Sequence, residues 1–275
     1  MDLQDVKFDG WPHIVKAQQF SREWLEEIFF PATRRMKKIF LHGGSEVLSG
    51  KRMITLFWQP STRTRGSFQM AMSYLGGDIP FATENAEESS STSKKESLEH
   101  TIQNWCRYRP DVIVMRHKEE GAAERAVKVS SVPIINAGDG PGQHPTQALL
   151  DVFTLQEKLG RIDGISIALV GDLKRGRTAR SLAYLLSKFK DVRIFLISSQ
   201  RSRMKDDIKD HLRERGVCFI EGNDIREFAS RLNAVYVIRD QKEYSEDTQP
   251  SVITPNPTDF LFIYEKVINH KGRVV

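Results

Sequence analysis

Residues 52–75 read RMITLFWQPSTRTRGSFQMAMSYL and set the pattern for much of the chain. The β-branched and aromatic run at 52–58 predicts a buried strand, and residues 64–75 predict a helix that begins soon after it. A strand that leads so closely into a helix is typical of a βαβ unit, which builds parallel sheets. The stretch therefore predicts an α/β fold.

The same alternation continues along the chain. The predicted strands are residues 52–58, 112–115, 133–136, 165–170, 192–197, 217–221 and 234–238. The predicted helices are residues 64–75, 94–108, 119–129, 145–159, 176–188, 204–215 and 225–230. An earlier helix is predicted after the capping residue Ser21, with a kink at Pro31.

The alternation breaks near Pro145, where one helix is followed by a fresh series of four strands. A chain of 275 residues has room for one large domain or two modest ones. We therefore predict two doubly wound parallel-sheet domains, residues 1–146 and 147–275, with the active site in the cleft between them.

The composition is that of an ordinary globular protein, with 39% hydrophobic and 28% charged residues. No apolar run approaches the roughly 20 residues that span a bilayer, and the start MDLQDVKFDG does not resemble a signal peptide. Cys106 and Cys218 are far apart in sequence, so we expect two buried free thiols and no metal cluster. These features predict a cytoplasmic protein that does not bind membranes.

The net charge of +5 is compatible with nucleic acid or with an anionic small substrate. The sequence contains no GxxxxGK[ST] motif, no GxGxxG after a strand and no basic stripe interleaved with aromatics. These absences from the sequence weigh against a nucleotide-binding or RNA-binding protein, which remains the alternative of a different class.

The segment after the first predicted strand has the residue types of an anion site. Ser61, Thr62, Arg63 and Thr64 fall at the predicted helix N-terminus, where backbone N–H groups and the helix dipole favour negative charge. Arg63 can engage a phosphate with two parallel hydrogen bonds. The alternative is a Ser/Thr helix cap flanked by surface arginines.

Four motifs in this order resemble the aspartate carbamoyltransferases, of the aspartate/ornithine carbamoyltransferase family. They are STRTR at 61–65, VMRH at 114–117, NAGDGPGQHPTQALLD at 136–151 and VGDLKRGRTARSL at 170–182. The resemblance covers residues 13–241, most of the chain. Ornithine enzymes of the family carry a cysteine where this chain has Thr146, which favours the aspartate branch.

The resemblance implies transfer of the carbamoyl group of carbamoyl phosphate to L-aspartate, a step of pyrimidine synthesis, with no cofactor and no metal. It assigns the phosphate to Ser61, Thr62, Arg63 and Thr64, and the carbonyl oxygen to Thr64, Arg116 and His144. It assigns the carbamoyl nitrogen to Gln147. The catalytic residues are then Arg63, Thr64, Arg116 and His144.

The second substrate carries two carboxylates and needs several cations. The resemblance assigns the α-carboxylate of aspartate to Arg177, and its side-chain carboxylate to Arg239 and Gln241. An arginine at a helix start, as Arg177 is, is by itself more often a surface charge than a ligand. Two arginines that each follow a predicted strand favour a binding role.

The Ser-rich stretch 87–95 resembles a family loop that reaches into a neighbouring subunit's active site. Ser90 and Lys94 fit its spacing, with Lys94 also an aspartate ligand, and Ser91 with Lys95 is the alternative register. The resemblance therefore implies at least a homotrimer with shared sites, to which regulatory chains can be added.

The sequence stops where the family continues with a His-Pro-Leu-Pro loop and a final helix. Without that helix, Leu25, Ile28 and Phe29 are expected to form an exposed apolar patch. Three readings stay open: a fragment of a longer enzyme, an enzyme completed by a partner, and a relative that binds without catalysing. A carbamoyltransferase for another amino acid is a further alternative.

Overall fold

The computed structural model describes residues 7–8, 11–83, 86 and 96–238. The chain divides into two compact units, Met1–Thr146 and Gln147–Val275. Each unit holds one four-stranded parallel sheet with flanking helices. The predicted α/β class, with two parallel sheets, is confirmed.

The first unit begins with a short antiparallel ribbon and continues as alternating helices and strands. Its strands are β1 (Lys7–Phe8), β2 (Trp11–Pro12), β3 (Arg52–Phe57), β4 (Asp78–Thr83), β5 (Val112–His117) and β6 (Ile134–Asp139). Its helices are α1 (Phe30–Leu41), α2 (Thr62–Tyr74), α3 (Leu98–Arg107) and α4 (Ala122–Val129). The parallel sheet has the order β4-β3-β5-β6.

Strand β3 shows why this sheet is covered on both faces. Ile54 and Leu56 pack into one apolar cluster together with residues of α3 and α4. Met53 and Phe57 point to the opposite face, where they pack with Met72 of α2. Because side chains alternate along a strand, a strand that is buried at five successive positions, Met53 to Phe57, must be covered on both sides.

The second unit repeats this architecture. Its helices are α5 (Pro145–Leu159), which begins in the last two residues of the first unit, α6 (Arg177–Leu186) and α7 (Asp206–Glu214). Its strands are β7 (Ser166–Gly171), β8 (Arg193–Ile197), β9 (Cys218–Gly222) and β10 (Ala234–Ile238). The sheet order is β10-β7-β8-β9, and every residue of β7 is buried.

One predicted helix and one unpredicted strand separate the structure from the sequence expectation. The helix expected at 225–230 is wrong, since two 3-10 turns, Ile225–Glu227 and Ala229–Arg231, occupy that stretch. The Asp224 carboxylate accepts the Arg226 N–H at 2.8 Å and closes a local turn in place of an α-helical one. Strand β4 was not predicted, because this edge strand contains a proline and is only partly buried.

The helix after Ser21 also differs from the expectation. Ser21 caps it as predicted, with its Oγ accepting the Trp24 N–H at 3.1 Å. The distortion near Pro31 is a π-helical turn, Trp24–Phe29, that leads into α1. Leu25 is fully buried, so the expected exposed patch is wrong at that residue, while Ile28 is 56% exposed.

The expectation of two buried thiols is half correct. Cys106 is buried in the first unit, and Cys218, on the edge strand β9, is exposed. Both are free thiols. Among the described residues, no helix combines the length and the apolar character that crossing a membrane requires.

Candidate active site

The strand order of the first sheet reverses its winding beside β3 and β5. The chain passes from β3 to β4 on one side of the sheet and then crosses to β5 on the other side of β3. Strands β3 and β5 pair in parallel, with Phe57 opposite Arg116. At such a reversal of winding the loops diverge and leave room for a ligand. The predicted anion-binding segment follows β3 at this place.

Ser61 occupies the position before the first residue of α2, but it does not cap the helix with its side chain. Its Oγ donates to the Thr64 Oγ1 at 3.0 Å, and Arg65 N–H binds the Ser61 carbonyl at 3.0 Å. Thr62 and Arg63 are exposed, and Thr64 is half-buried. The capping alternative is therefore not supported at Ser61. The first N–H groups of a 13-residue helix and several polar side chains meet at one point.

Arg116 lies on the neighbouring strand, one residue before the end of β5. Its Nη1 donates to the Ala137 carbonyl of β6 at 3.2 Å, and its own carbonyl accepts the Trp58 N–H at 2.8 Å. These contacts fix the arginine between the ends of three adjacent strands. The half-buried guanidinium brings positive charge to the edge that carries the Ser61 segment.

His144 follows the third of these strands and is 5% exposed. It immediately precedes Pro145, the first residue of α5, as the sequence predicted. Its Nδ1 lies 3.3 Å from the Thr146 Oγ1. Thr64, Arg116 and His144 are thus carried by segments at or just beyond the carboxyl ends of β3, β5 and β6.

A buried polar network that sequence reasoning missed holds the loop before His144. The Asp139 carboxylate accepts N–H groups of Gly121, Gln143 and the Asn136 side chain at 2.9, 2.9 and 3.1 Å. The Gln143 Oε1 accepts the Ala17 N–H at 2.9 Å. The available signal was the run of polar residues and glycines directly after an apolar strand, since a buried loop must satisfy its backbone groups.

The second sheet has its own reversal, between β7 and β10. Gly171 ends β7 with φ of 119°, and a Cβ there would overlap the Ile238 carbonyl of β10. Only glycine permits this close approach of the two strand ends. Arg177 is the first residue of α6, just after the connecting loop, and it is half-buried.

A largely buried carboxyl group, that of Asp151, lies among the elements of this second unit. Gln147 Nε2 donates to Asp151 Oδ1 at 2.9 Å, one turn along α5. Burial raises the pKa of Asp151 to about 6, against smaller opposing effects of hydrogen bonds from Gln147 and Tyr236. Burial, and then the Asp151 charge, raise the pKa of Tyr236, while a hydrogen bond from Thr178 opposes them. Of these four residues, sequence reasoning selected only Gln147 as a site residue.

Four predicted site residues lie outside the described part of the chain: Ser90, Lys94, Arg239 and Gln241. Arg239 directly follows the last residue of β10 in sequence. Within the described ranges, no group of three or more His, Cys, Asp or Glu side chains is placed to hold a metal ion.

Comparison with known proteins gives consistent matches. Residues 12–157 match the model of the family described as aspartate/ornithine carbamoyltransferase, carbamoyl-P binding domain. The chain is 54% identical over 231 residues to the chloroplastic aspartate carbamoyltransferase of Arabidopsis thaliana, covering 84% of this chain and 58% of the plant protein. It is 44% identical over 239 residues to the aspartate carbamoyltransferase catalytic subunit of Methanopyrus kandleri, and this match covers 86% of this chain and 75% of the archaeal protein.

Solved structures agree with the sequence matches. The aspartate transcarbamoylase of Trypanosoma cruzi in complex with carbamoyl phosphate and aspartate is 32% identical, with a TM-score of 0.84. That match covers 99% of this chain and 92% of the solved chain. The catalytic subunit of M. jannaschii aspartate transcarbamoylase gives a TM-score of 0.79 at 38% identity, and the match covers 96% of this chain and 84% of the solved chain. The chain spans less than two thirds of the length of the plant relatives that it matches.

Proposed function

Because this chain belongs to the aspartate/ornithine carbamoyltransferase family, we propose that it transfers the carbamoyl group of carbamoyl phosphate to the amino group of L-aspartate. The products are N-carbamoyl-L-aspartate and phosphate. The observation that carries the proposal is the carboxyl edge of the first sheet. There the N-terminus of α2, with Ser61 to Thr64, adjoins the strand that carries Arg116.

The phosphate group of the first substrate fits the N-terminus of α2. A dianion is stabilised by the helix dipole and by the first backbone N–H groups, which have no partner within the helix. In the proposed complex Ser61, Thr62 and Thr64 add hydroxyl donors, and Arg63 adds a planar guanidinium that binds two phosphate oxygens. The exposure of Thr62 and Arg63 leaves them accessible to an incoming ligand.

The carbonyl oxygen of carbamoyl phosphate gains negative charge when the amine attacks the carbonyl carbon. Thr64, Arg116 and His144 are the proposed donors to this oxygen. Each donor aimed at a developing oxyanion contributes about 3 kcal/mol to lowering the barrier. The contact of Arg116 with Ala137 and the network that holds the loop before His144 keep these donors in place before the substrate arrives.

The proposed reaction needs no separate base. The carbon–nitrogen bond forms first and places the charge on the carbonyl oxygen. The carbon–oxygen bond to phosphate then breaks, and the departing phosphate accepts the proton of the amine. Gln147 is proposed to hold the carbamoyl nitrogen. Alignment of the two substrates contributes about 7 to 11 kcal/mol, more than any single donor. Positioning is thus the main source of the rate enhancement.

The second unit is the proposed aspartate-binding domain, residues 147–275, and the first, residues 1–146, the carbamoyl-phosphate-binding domain. Arg177 follows β7, and Arg239 follows β10, the strand paired with β7. This adjacency supports the assignment of two cations to the two carboxylates of aspartate. Gln241 and Lys94 complete the proposed set of aspartate ligands.

The proposed functional unit is a homotrimer in which Ser90 and Lys94 of one subunit complete the site of the next. Association with regulatory chains is part of the same proposal. The proposed location is the cytoplasm, whereas the relative from A. thaliana is named as chloroplastic.

The test is an assay of the 275-residue chain with carbamoyl phosphate and either L-aspartate or L-ornithine, with oligomer size measured in the same sample. Turnover with aspartate supports the proposal, and turnover only with ornithine assigns the chain to the other branch. Absence of turnover, with carbamoyl phosphate still raising the melting temperature, would mean a protein that binds but does not catalyse.

A variant pair tests the site itself. Arg116→Ala should lower kcat by about 100- to 1,000-fold, the usual effect of removing one oxyanion donor. Arg107→Ala, which removes an exposed arginine at the end of α3, is the matched control and should leave kcat unchanged. Equal activity of the two variants would contradict the assignment of Arg116.

A further inference from the structure

Asp151 occupies a position that the proposed reaction does not explain. It lies on α5, one turn after Gln147, and accepts the Gln147 Nε2–H at 2.9 Å. Its Oδ2 is buried and makes no hydrogen bond of ordinary geometry within the described part of the chain, although Tyr236 acts on the carboxyl as a weaker donor than Gln147. A largely buried carboxyl group whose partners are all neutral is costly to keep ionised and calls for a physical reason.

The surroundings of Asp151 connect the elements that carry the proposed ligands of the second unit. Tyr236 lies on β10, three residues before Arg239. The hydroxyl of Thr178, the residue after Arg177 on α6, lies close enough to lower the pKa of Tyr236. Gln147 lies on the same helix as Asp151. One small polar cluster, made of Asp151, Tyr236 and Thr178, therefore ties together α5, α6 and β10.

The orientation of the Gln147 amide is the chemical consequence. A carboxylate can only accept hydrogen bonds, so an ionised Asp151 selects the NH2 side of the amide and turns the carbonyl Oε1 to the opposite side. A carbamoyl group presents an NH2 group, which needs an acceptor. If the Gln147 amide were turned the other way, its NH2 group would face the carbamoyl NH2 group, and two donors cannot form a hydrogen bond.

We infer that Asp151 is a positioning residue for the proposed carbamoyl transfer, which orients the Gln147 amide so that its Oε1 accepts from the carbamoyl NH2 group. The inference rests on the proposed function. Asp151 touches no substrate itself and acts through Gln147.

The inference makes carbamoyl phosphate binding depend on pH. A protonated Asp151 can donate to Gln147 Oε1 as well as accept, so the amide loses its fixed orientation. The groups that face Asp151 are Gln147 on its own helix, Tyr236 on β10 and, through Tyr236, Thr178 on α6. Among the described residues, none of the groups that shift the Asp151 pKa is a charged side chain. The orientation should be kept above about pH 6 and lost below it.

The experiment measures dissociation constants by calorimetry between pH 5 and pH 8.5, with carbamoyl phosphate and inorganic phosphate as the two probes. Asp151→Asn should raise the dissociation constant of carbamoyl phosphate roughly 3- to 10-fold at pH 8, which corresponds to the loss of about one oriented hydrogen bond. The dissociation constant of phosphate should not change. Phosphate has no carbamoyl NH2 group, so it reports general damage to the site. Glu157→Gln, an exposed carboxylate on the same helix, is the matched control and should bind both probes as the unmodified chain does.

A second comparison tests whether Asp151 acts through Gln147. In a Gln147→Ala background, Asp151→Asn should have no further effect on carbamoyl phosphate, and the step in affinity near pH 6 should disappear. An unmodified chain that fails to bind carbamoyl phosphate would overturn the proposed function. An unmodified chain that binds it, with Asp151→Asn equally tight or with additive losses in the double variant, would overturn the inference alone.

Discussion

Replacing Asp151 by asparagine should stabilise the folded chain by an amount that grows with pH. The folded-state pKa of Asp151 is raised from 3.8 to about 6, because burial disfavours the charged form. A raised carboxyl pKa means that the folded state binds the proton more tightly than the unfolded state. The contribution of the protonated Asp151 carboxyl group to the stability of the folded chain is fully present below pH 3.8 and is lost as the pH rises through about 6.

The size of the effect follows from the shift. A difference of about 2 pH units at 1.36 kcal/mol each corresponds to about 3 kcal/mol of free energy of unfolding. Asparagine has nearly the shape of the neutral acid and never ionises. The free energy of unfolding of the variant should therefore be higher than that of the unmodified chain by about 3 kcal/mol at pH 8 and by roughly half of that at pH 5.

Denaturation with urea at pH 5, 6.5 and 8 measures this difference. All four tryptophans lie in the first unit, so their fluorescence follows that unit, while far-UV circular dichroism follows both. The gain should appear in the circular dichroism transition that includes the second unit. Glu157→Gln should stay within about 0.5 kcal/mol of the unmodified chain at every pH, as exposed substitutions usually do. A gain that is absent, or that does not change with pH, would refute the reasoning.

Three further predictions concern other parts of the chain. Arg177→Ala should raise KM for aspartate roughly 10- to 150-fold, the loss of a hydrogen bond to a charged group, with carbamoyl phosphate affinity unchanged by calorimetry; equal losses of both would count against the assignment. Mixing Lys94→Ala chains with His144→Ala chains should restore activity, since some sites then contain neither substitution, and no recovery in demonstrably mixed oligomers would argue against shared sites. Gly171→Ala should cost more than about 2 kcal/mol of unfolding free energy, because φ is 119° and a Cβ meets backbone there; Gly160→Ala, with φ of 77° and open space, should cost less, and equal losses would remove the steric explanation.

The sequence by itself determined the alternation of strands and helices and most of their approximate positions. Buried strands need apolar residues on both faces, as in β3, and helices need a different spacing, so both signals are local in the chain. The same local reasoning placed Ser61 to Thr64 at the start of a helix and Pro145 at the start of another, as the structure has them.

The tertiary structure alone decided which strand ends become neighbours. The order β4-β3-β5-β6 places Arg116 beside the Ser61 segment, and the pairing of β7 with β10 brings the Arg177 segment near the end of β10. It also decided that Cys218 is exposed, on an edge strand, and that the Asp151 Oδ2 is buried near Tyr236, 85 positions away in sequence. Burial and ionisation depend on what packs from distant parts of the chain, and no local pattern of residues specifies those neighbours.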